Sequence, residues 1–319
     1  MKTIPWWECS GSRDRWFRRC IVVGVKGFVD ETRRRQVIDE LRPLLHQVSL
    51  PAADLRLDGG RPVSAVASYL AGHPYLPEGA PWPQYNDVPM FCVVQVNFAD
   101  VGPLPGFPST GLFQWFVGAD SPSFGLTHGE TKGTQGFEVR WYPDTAARSV
   151  ASPSSPTPWH MASQDPGVHA PFSPVEARGV RFTVGRALPQ LAEFDLAEEG
   201  DLARLVRELA VLGGERSDHA LDLLHNGWNF HVLGSHGSFG DDFVHGSSLG
   251  GSAGFTQEDP RGRRAYPSSS EPAGQVLITI DEDVYDTGWG DHGIAHLFGD
   301  PAAVARGDLS AVRYYWDAT

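Results

Sequence analysis

The residues best suited to chemistry lie in an acidic, glycine-rich stretch near the C-terminus. It reads DEDVYDTGWGDHG, residues 281–293, and places Trp289 and Asp291 on either side of a glycine. An aromatic ring beside a fixed carboxylate can recognise polar or cationic ligands, so both residues are candidates for ligand binding. The same pattern is typical of a turn in which Asp binds its own backbone and Trp fills the core. The sequence leaves both interpretations open.

Three side chains elsewhere complete the candidate ligand-binding set. Trp82 lies in the proline-rich segment GAPWP, Gln95 ends the apolar run FCVVQ, and Gln257 follows a glycine-rich run in GFTQEDP. A glutamine can bind a ligand amide, but in a strand or turn it can equally satisfy a neighbouring backbone group. Both roles stay open for Gln95 and Gln257.

Histidines suggest a metal site in two places, and neither has a defined geometry. His292 and His296 are four residues apart, which suits one ion on a helix; this segment has the pattern of a strand, where four residues span about 13 Å. A glycine-rich stretch could gather a zinc site from His231, His236, His245, Asp241 and Asp242. Since nothing fixes their spacing, we predict no metal and no cofactor.

Composition excludes several classes of protein. The net charge of −13 argues against a nucleic-acid partner, because neutralising phosphates requires a basic surface. Three cysteines give neither a disulfide framework nor paired metal spacing. No apolar run approaches the roughly 18 residues of a membrane span. We therefore expect an acidic cytoplasmic protein with no membrane partner.

Hydrophobic periodicity predicts both helices and strands. Apolar residues from Val37 to Val48 recur on one helical face, with Pro43 expected to kink or split that helix, and a second amphipathic helix is predicted over residues 196–212. Short β-favouring runs bounded by Gly, Pro and Asn predict strands near residues 64–70, 90–96, 112–117, 137–142, 180–184, 275–280, 294–298 and 309–316.

Two β-rich blocks share one layout. The first contains VVQV, a turn, GLFQWFVG and later FEVRWYP; the second contains LITI, a turn, GIAHLFGD and later SAVRYYWD. This self-similarity predicts an internal duplication, although two β-meanders can also resemble each other by chance. The predicted fold is α+β, with two related β-rich halves and helices packed on one side. We divide the chain into a poorly defined extension, 1–30, and one domain, 31–319, made of a β-rich half 62–145, a linker with helices 146–225 and a β-rich half 226–319.

Four stretches in one order resemble the YwqG-like family, known as the domain of unknown function DUF1963. They are GHPYLPEGAPWP, the block from PMFCVVQV to GLFQWFV, GGSAGFTQEDPR, and WGDHGIAHLF with the following DLSAVRYYWD. The chain departs from the family pattern at residues 71–72, at residues 252–254, and at Thr279, where the resemblance implies a glutamine. The resemblance implies an α+β fold with substantial sheet and no established reaction.

Two functions remain open, so whether the protein is an enzyme stays uncertain. The first is a non-catalytic module that binds an unknown small molecule or protein partner in a groove between the halves. Trp82, Gln95, Trp289 and Asp291 would line that groove, with Gln257 as a fifth ligand-binding residue. The alternative is a hydrolase-like enzyme that uses carboxylates of a cleft, with or without a divalent metal. The acidic turn at residues 281–286 offers such carboxylates, but it is also typical of a solvated loop.

Overall fold

The computed structural model describes residues 31–60, 62–126, 136–145, 168–172, 176–188, 200–201, 204–205, 208, 243–262, 266–268, 270–282 and 289–319. The predicted extension, 1–30, and most of the predicted helix at 196–212 lie outside these residues. Contacts divide the chain into two compact units, Met1–Leu44 with Leu196–Asn226, and Leu45–Asp195 with Gly227–Thr319. The prediction of one domain over 31–319 stays a prediction.

In the first unit, the principal described element is helix α1, Glu31–Val48, which continues to the start of the second unit. Val37, Ile38 and Leu41 are buried, as the periodicity predicted. Pro43 does not split the helix, which runs without a break through it. Within this unit Arg33 donates two hydrogen bonds to the carboxylate of Glu208.

The second unit contains the strands and a short helix. Their bounds are β1 Leu50–Leu57, β2 Tyr69–Leu70, β3 Gln84–Tyr85, β4 Val88–Pro89, β5 Phe91–Asn97, β6 Leu112–Val117, β7 Phe137–Tyr142, β8 Arg178–Ala187, β9 Ser248–Gly250, β10 Val276–Asp281, β11 Ile294–Phe298, α2 Pro301–Ala305 and β12 Arg313–Asp317. Ten strands form one antiparallel sheet in the order β12-β11-β10-β9-β1-β8-β2-β5-β6-β7, while β3 and β4 form a separate hairpin.

The sheet is curled so far that its two ends meet. Tyr314 lies in β12, at one end of the strand order, yet its ring centroid is 5.5 Å from that of Trp115 in β6 and 5.7 Å from that of Phe137 in β7, the opposite end. The described part of the sheet is therefore nearly closed. We call the enclosed side, which carries the main hydrophobic cluster, the core face and the opposite side the outer face.

The two central strands connect the sheet across its middle. β1 pairs with β8 over eight residues and also with β9, whereas β8 pairs with β1 and β2. Leu55 and Val180 donate backbone hydrogen bonds to the carbonyl oxygens of Ser247 and Ser68 respectively. The strands β2-β5-β6-β7 therefore attach to β8, and the strands β9-β10-β11-β12 attach to β1.

The described chain is mostly β-sheet, with two α-helices among its described elements, α1 and α2. The finer part of the prediction, helices packed on one side of two related halves, stays a prediction. The predicted strands at 112–117, 137–142 and 294–298 are confirmed, while the one at 64–70 shrinks to Tyr69–Leu70. Among the described residues, no helix combines the length and apolar character needed to cross a bilayer.

Candidate functional site

Trp289 belongs to the core of the curled sheet. Its side chain is fully buried and stacks on Trp115, with ring centroids 6.2 Å apart and planes 13° apart. Phe124 and Tyr314 pack against the same indole at centroid distances of 5.2 and 6.4 Å. Trp289 therefore fills the core where the two ends of the curled sheet approach each other.

Gln95 is a buried link between backbone segments on the outer face. Its Oε1 accepts hydrogen bonds from Tyr75 N (2.7 Å) and Gln114 Nε2 (2.9 Å). Its Nε2 donates to the carbonyl oxygens of Ala65 (2.9 Å) and Ala67 (2.8 Å). All of its hydrogen-bonding capacity towards these segments is engaged within the protein, so Gln95 positions the chain around it.

The other three predicted residues are more exposed. Trp82 is half-buried, contacts the rings of His73 and Phe116, and donates its indole N–H to Met90 O. Gln257 is exposed and donates to Ala318 O. Asp291 points into solvent, with 85 % of its side chain exposed, and its carbonyl accepts from Thr319 N and Oγ1.

The five predicted residues do not share one groove. Neighbouring side chains in β6 point to opposite faces of the sheet, so Gln114, bonded to Gln95, lies on the outer face and Trp115, stacked on Trp289, lies on the core face. The sheet itself thus separates Gln95 from Trp289. A ligand contact of any one residue stays a prediction.

His296 lies at the centre of a different polar site, on the outer face of β11. Its ring is fully buried; Nε2 lies 2.6 Å from Gly254 O and Nδ1 lies 3.0 Å from Thr279 Oγ1. Because a carbonyl can only accept, Nε2 carries the proton and Nδ1 accepts from the threonine hydroxyl. Burial lowers the pKa of His296 to about 4, so the ring is neutral at pH 7.

A pocket opens beside Thr279, the residue that holds the His296 ring. We call it the β10–β11 pocket; its volume is about 230 Å³. Its polar side chains are His245, Ser248, Ser252, Thr256, Thr279, Asp281, Glu282 and His292, and its remaining wall includes Ala187, Val244, Gly246, Gly254 and Phe255. Segments from β8–β11 and two loops therefore converge on one small polar space.

The rim of the pocket is acidic. Asp281 ends β10 and Glu282 follows it; the Oε1 atom of Glu282 lies 3.2 Å from Nδ1 of the exposed His292. Asp291 precedes His292 in the chain, and its Oδ1 atom lies 3.9 Å from His292 Nε2. Negative charge at the entrance favours ligands that bring positive charge or N–H donors.

Asp317 holds the loop that forms one wall of the pocket. This residue ends β12, and its Oδ2 accepts from the backbone N–H groups of Thr256 (2.9 Å) and Gln257 (2.8 Å). Burial raises the pKa of the Asp317 carboxyl, although both hydrogen bonds oppose that rise. The wall is thus fixed to the end of β12 before any ligand arrives.

The metal hypothesis receives no support in the described part of the chain. There, no group of three or more His, Cys, Asp or Glu side chains is arranged to hold an ion. His231, His236, Asp241 and Asp242 lie outside the described residues, and His245 lines the β10–β11 pocket.

A larger groove, about 620 Å³, lies between the start of β1 and the start of β10. Pro51, Phe107 and Gly251 contribute to its largely apolar wall. Its buried cation, Arg261, is bound through Nε and Nη2 to Asp259. Binding sites combine a formed pocket with a few convergent polar groups. The β10–β11 pocket has more polar side chains than this groove, so we take it as the candidate site.

The sequence drew attention to several of these residues separately, His245 and His292 as possible metal ligands and Asp281 and Glu282 as part of an acidic turn, but did not bring them together in one pocket. Thr279 attracted attention only as a departure from a family pattern, and His296 only as one member of a rejected metal pair. A signal was present in the two similar sequence blocks, because VVQV aligned with LITI places a short threonine where the first block has a long glutamine.

Comparison with protein families gives one match. A family model described as a domain of unknown function, DUF1963, matches residues 68–318. The search of curated proteins finds no match. The matched region contains every strand from β2 to β12 and the whole β10–β11 pocket.

Proposed function

The chain belongs to the DUF1963 family, and from that premise we propose that it is a non-catalytic binding module whose site is the β10–β11 pocket. The suspected DUF1963 membership is thereby confirmed, whereas the YwqG-like description stays a prediction. The family description states no function, so the proposal depends on the geometry of the pocket. The observation that carries it is a difference between two matching parts of the sheet.

We propose further that β2-β5-β6-β7 and β9-β10-β11-β12 are repeats of one unit, as the sequence blocks predicted. Two hydrogen-bond pairs support this. Ser68 Oγ accepts from Asn97 N at 2.8 Å and lies 3.4 Å from Asn97 O. Ser247 Oγ accepts from Asp281 N at 2.9 Å and lies 3.4 Å from Asp281 O. Each serine immediately precedes the first strand of its set.

Backbone irregularities support the same correspondence. The pairing of β5 with β6 shifts register between Cys92 and Val94, and that of β10 with β11 shifts between Val276 and Ile278. Each first strand also leads into two consecutive residues with positive φ, 57° and 78° at residues 71–72, and 67° and 75° at residues 250–251. The helices packed on one side, the other part of the predicted layout, stay a prediction.

The correspondence isolates the pocket. Gln95 is paired with Gln114, and Thr279 occupies the matching position, paired with His296. In the first repeat, Gln95 fills the outer face by linking Ala65 and Ala67 to Tyr75. Thr279 is too short to span the equivalent distance, and the β10–β11 pocket occupies that space. A ligand would restore the missing link.

The chemistry of the pocket floor favours binding over catalysis. Both ring nitrogens of His296 are engaged, and its pKa, lowered to about 4 by burial, is well below that of an effective general base at pH 7. Thr279 uses its hydroxyl to hold that ring. We therefore assign both residues to shaping the pocket.

One observation favours the hydrolase-like alternative. Glu282 and His292 form a carboxylate–imidazole contact of 3.2 Å at the rim, and such pairs can transfer protons. The His292 side chain is 65 % exposed, so nothing described there excludes water from the pair. If the pair were catalytic, Glu282→Gln would abolish turnover of a bound ligand without weakening its binding.

The partner in this proposal is a small molecule or a short protein segment, because the pocket admits little more. The acidic rim and the net charge of −13 support a partner other than nucleic acid, and a cytoplasmic location without membrane contact remains part of the proposal.

The test is a thermal-shift screen of the purified chain against amino acids, amides, amines, nucleosides and divalent metals, with and without chelator. A ligand that binds only the folded state raises the melting temperature by mass action. We expect at least one organic compound to raise it, and Thr279→Gln to abolish that rise by filling the pocket.

Thr183→Gln is the matched control, since Thr183 is an exposed threonine of β8 that does not line the pocket. It should respond to the compound as the wild type does. A flat response of the wild type to the whole screen would contradict the binding proposal.

A further inference from the structure

We infer that the β10–β11 pocket binds a primary carboxamide, the chemical group that Gln95 supplies in the first repeat. This inference rests on the binding function proposed above and names the class of its ligand. The first repeat shows what the missing group does. Gln95 Oε1 accepts a hydrogen bond from the backbone N–H of Tyr75, and its Nε2 donates to two backbone carbonyls, at distances of 2.7 to 2.9 Å.

The walls of the pocket contain residues at the positions that surround that carboxamide in the first repeat. Counting back from Ser68 and Ser247, Val244 and Gly246 correspond to Ala65 and Ala67, whose carbonyls bind Gln95. Val244 and Gly246 both line the pocket. In this proposal the carbonyl groups of Val244 and Gly246 face the pocket, as those of Ala65 and Ala67 face Gln95. Two such acceptors require two N–H donors from a ligand, and a primary amide provides both on one nitrogen.

The opposite wall corresponds to Tyr75. Counting forward from the same serines, Gly254 matches Tyr75, and the two residues are held in the same way. Gln114 in β6 donates to Tyr75 O, and His296 at the matching position in β11 donates to Gly254 O. The backbone N–H of Gly254 is therefore the counterpart of the Tyr75 N–H that Gln95 Oε1 accepts, and it would serve the amide oxygen of a ligand.

Charge separates the amide from its closest chemical relatives. A carboxylic acid has the shape of a primary amide, but it is ionised at pH 7 and would enter a pocket whose rim carries Asp281 and Glu282. An ionised acid would also offer no N–H group to the carbonyl groups of Val244 and Gly246. A buried partner left unpaired lowers affinity by about tenfold or more, so amide and acid should differ by at least that factor.

The experiment compares two amide–acid pairs on the full chain: L-glutamine with L-glutamate, and propionamide with propionate. Binding is followed by amide chemical shifts in ¹⁵N-labelled protein, with Gly254, Thr279 and Asp281 as reporters. We expect saturable shifts at these positions with the amides, and dissociation constants at least about tenfold weaker for the acids.

The variants test whether the amides occupy the predicted place. Thr279→Gln should lose amide binding because its own side chain fills the space, and Thr183→Gln should retain it. The double variant Thr279→Gln/His296→Gln rebuilds the Gln95–Gln114 pair of the first repeat. It should fold cooperatively and also fail to bind, which separates a filled pocket from an unfolded one.

Each outcome decides between the two levels of the proposal. If compounds shift the backbone N–H signals of the pocket but carboxylic acids bind as well as carboxamides, the carboxamide inference is wrong and the binding function stands. The same holds if carboxamide binding survives in Thr279→Gln. If no compound of the wider screen shifts a pocket amide, both are wrong. The comparison of amide with acid uses wild-type protein, so its result does not depend on any variant folding.

Discussion

At the scale of single residues, a polar side chain on the outer face can hold the fold without being a ligand contact. Gln95 was predicted as a ligand-binding residue, and that role stays a prediction; its carboxamide makes four hydrogen bonds inside the protein. Gln257, predicted for the same role, is exposed. Because the two side chains are identical but only that of Gln95 is buried, Gln95 should contribute much more to stability than Gln257.

We therefore expect Gln95→Ala to lower the free energy of unfolding by about 3 kcal/mol, because it removes four hydrogen bonds and leaves the buried Tyr75 N–H without its partner. Gln257→Ala, the matched control, should change it by less than about 0.5 kcal/mol. Urea denaturation followed by tryptophan fluorescence measures both. Equal losses in the two variants would show that the Gln95 network contributes little.

A second residue-scale prediction concerns pH. The pKa of His296 is lowered from 6.5 to about 4 by burial, so between these values the unfolded chain binds a proton that the folded chain does not. Stability then falls as pH decreases through this window. At about 1.4 kcal/mol per pKa unit, the loss from this group is about 3 kcal/mol.

His296→Gln should flatten this slope, because glutamine does not titrate. Thr183→Gln changes an exposed residue of β8 that does not titrate, and it should leave the slope unchanged. Denaturation midpoints at pH 7, 5.5 and 4.5 provide the comparison. An equally steep acid loss in His296→Gln would place its origin in other groups.

At the scale of elements, the two loops that follow β2 and β9 require glycine in the same place. Gly72 and Gly251 have φ of +78° and +75°. A Cβ at Gly72 would lie 2.4 Å from Ala177 Cβ, and one at Gly251 would lie 2.8 Å from Ala187 Cβ. Each loop therefore passes against a neighbouring segment at a distance that only glycine permits.

We expect Gly72→Ala and Gly251→Ala to cost about 2 kcal/mol more than Gly79→Ala, because overpacking adds to backbone strain. Gly79 has φ of +84°, and no atom lies within 4 Å of the place that a Cβ would take there, so it reports the strain alone. Urea denaturation again measures the differences. If Gly79→Ala were equally costly, close approach would not explain the two glycines.

Elements with strong local patterns could be predicted from the sequence, and those fixed by distant partners could not. β6 and β7 were predicted with their bounds because apolar and aromatic runs mark them. β1, LPAADLRL, contains Pro51 and two alanines and carries little strand preference. It becomes a strand because β8 and β9 pair with it from both sides.

The candidate site was out of reach for a similar reason. In the proposed duplication, the pocket arises because Thr279 is shorter than Gln95 at the matching position. This can be recognised only once the loops that face both strands are known. Trp289 was singled out correctly as distinctive, but the sequence could not tell a rim position from the core position it occupies against Trp115. Contacts across the closed sheet decide that question.

At the scale of the sheet-bearing unit, the central strands β1 and β8 connect the two sets of strands that we propose as repeats. β8 follows the first repeat in the chain and pairs with its first strand, β2, while β1 precedes that repeat and pairs with β9 of the second. The central strand that precedes each repeat in the chain therefore pairs with the other repeat. The ends of the sheet are joined as well, through Trp115, Trp289 and Tyr314.

We consequently expect the two repeats to open as one cooperative unit. In native-state hydrogen exchange, the slowest amides of β5 and β6 should have the same opening free energy and denaturant dependence as those of β10 and β11.

Leu55→Ala, which removes a buried side chain of β1, should lower the opening free energies of both sets equally, by about 3 kcal/mol. Leu297→Ala in β11, also fully buried, should have the same distributed effect although it lies within the second repeat alone. If Leu297→Ala lowered protection only in β9–β12, the repeats would be separate folding units, and the shared central strands would be a contact between them rather than the element that unites them.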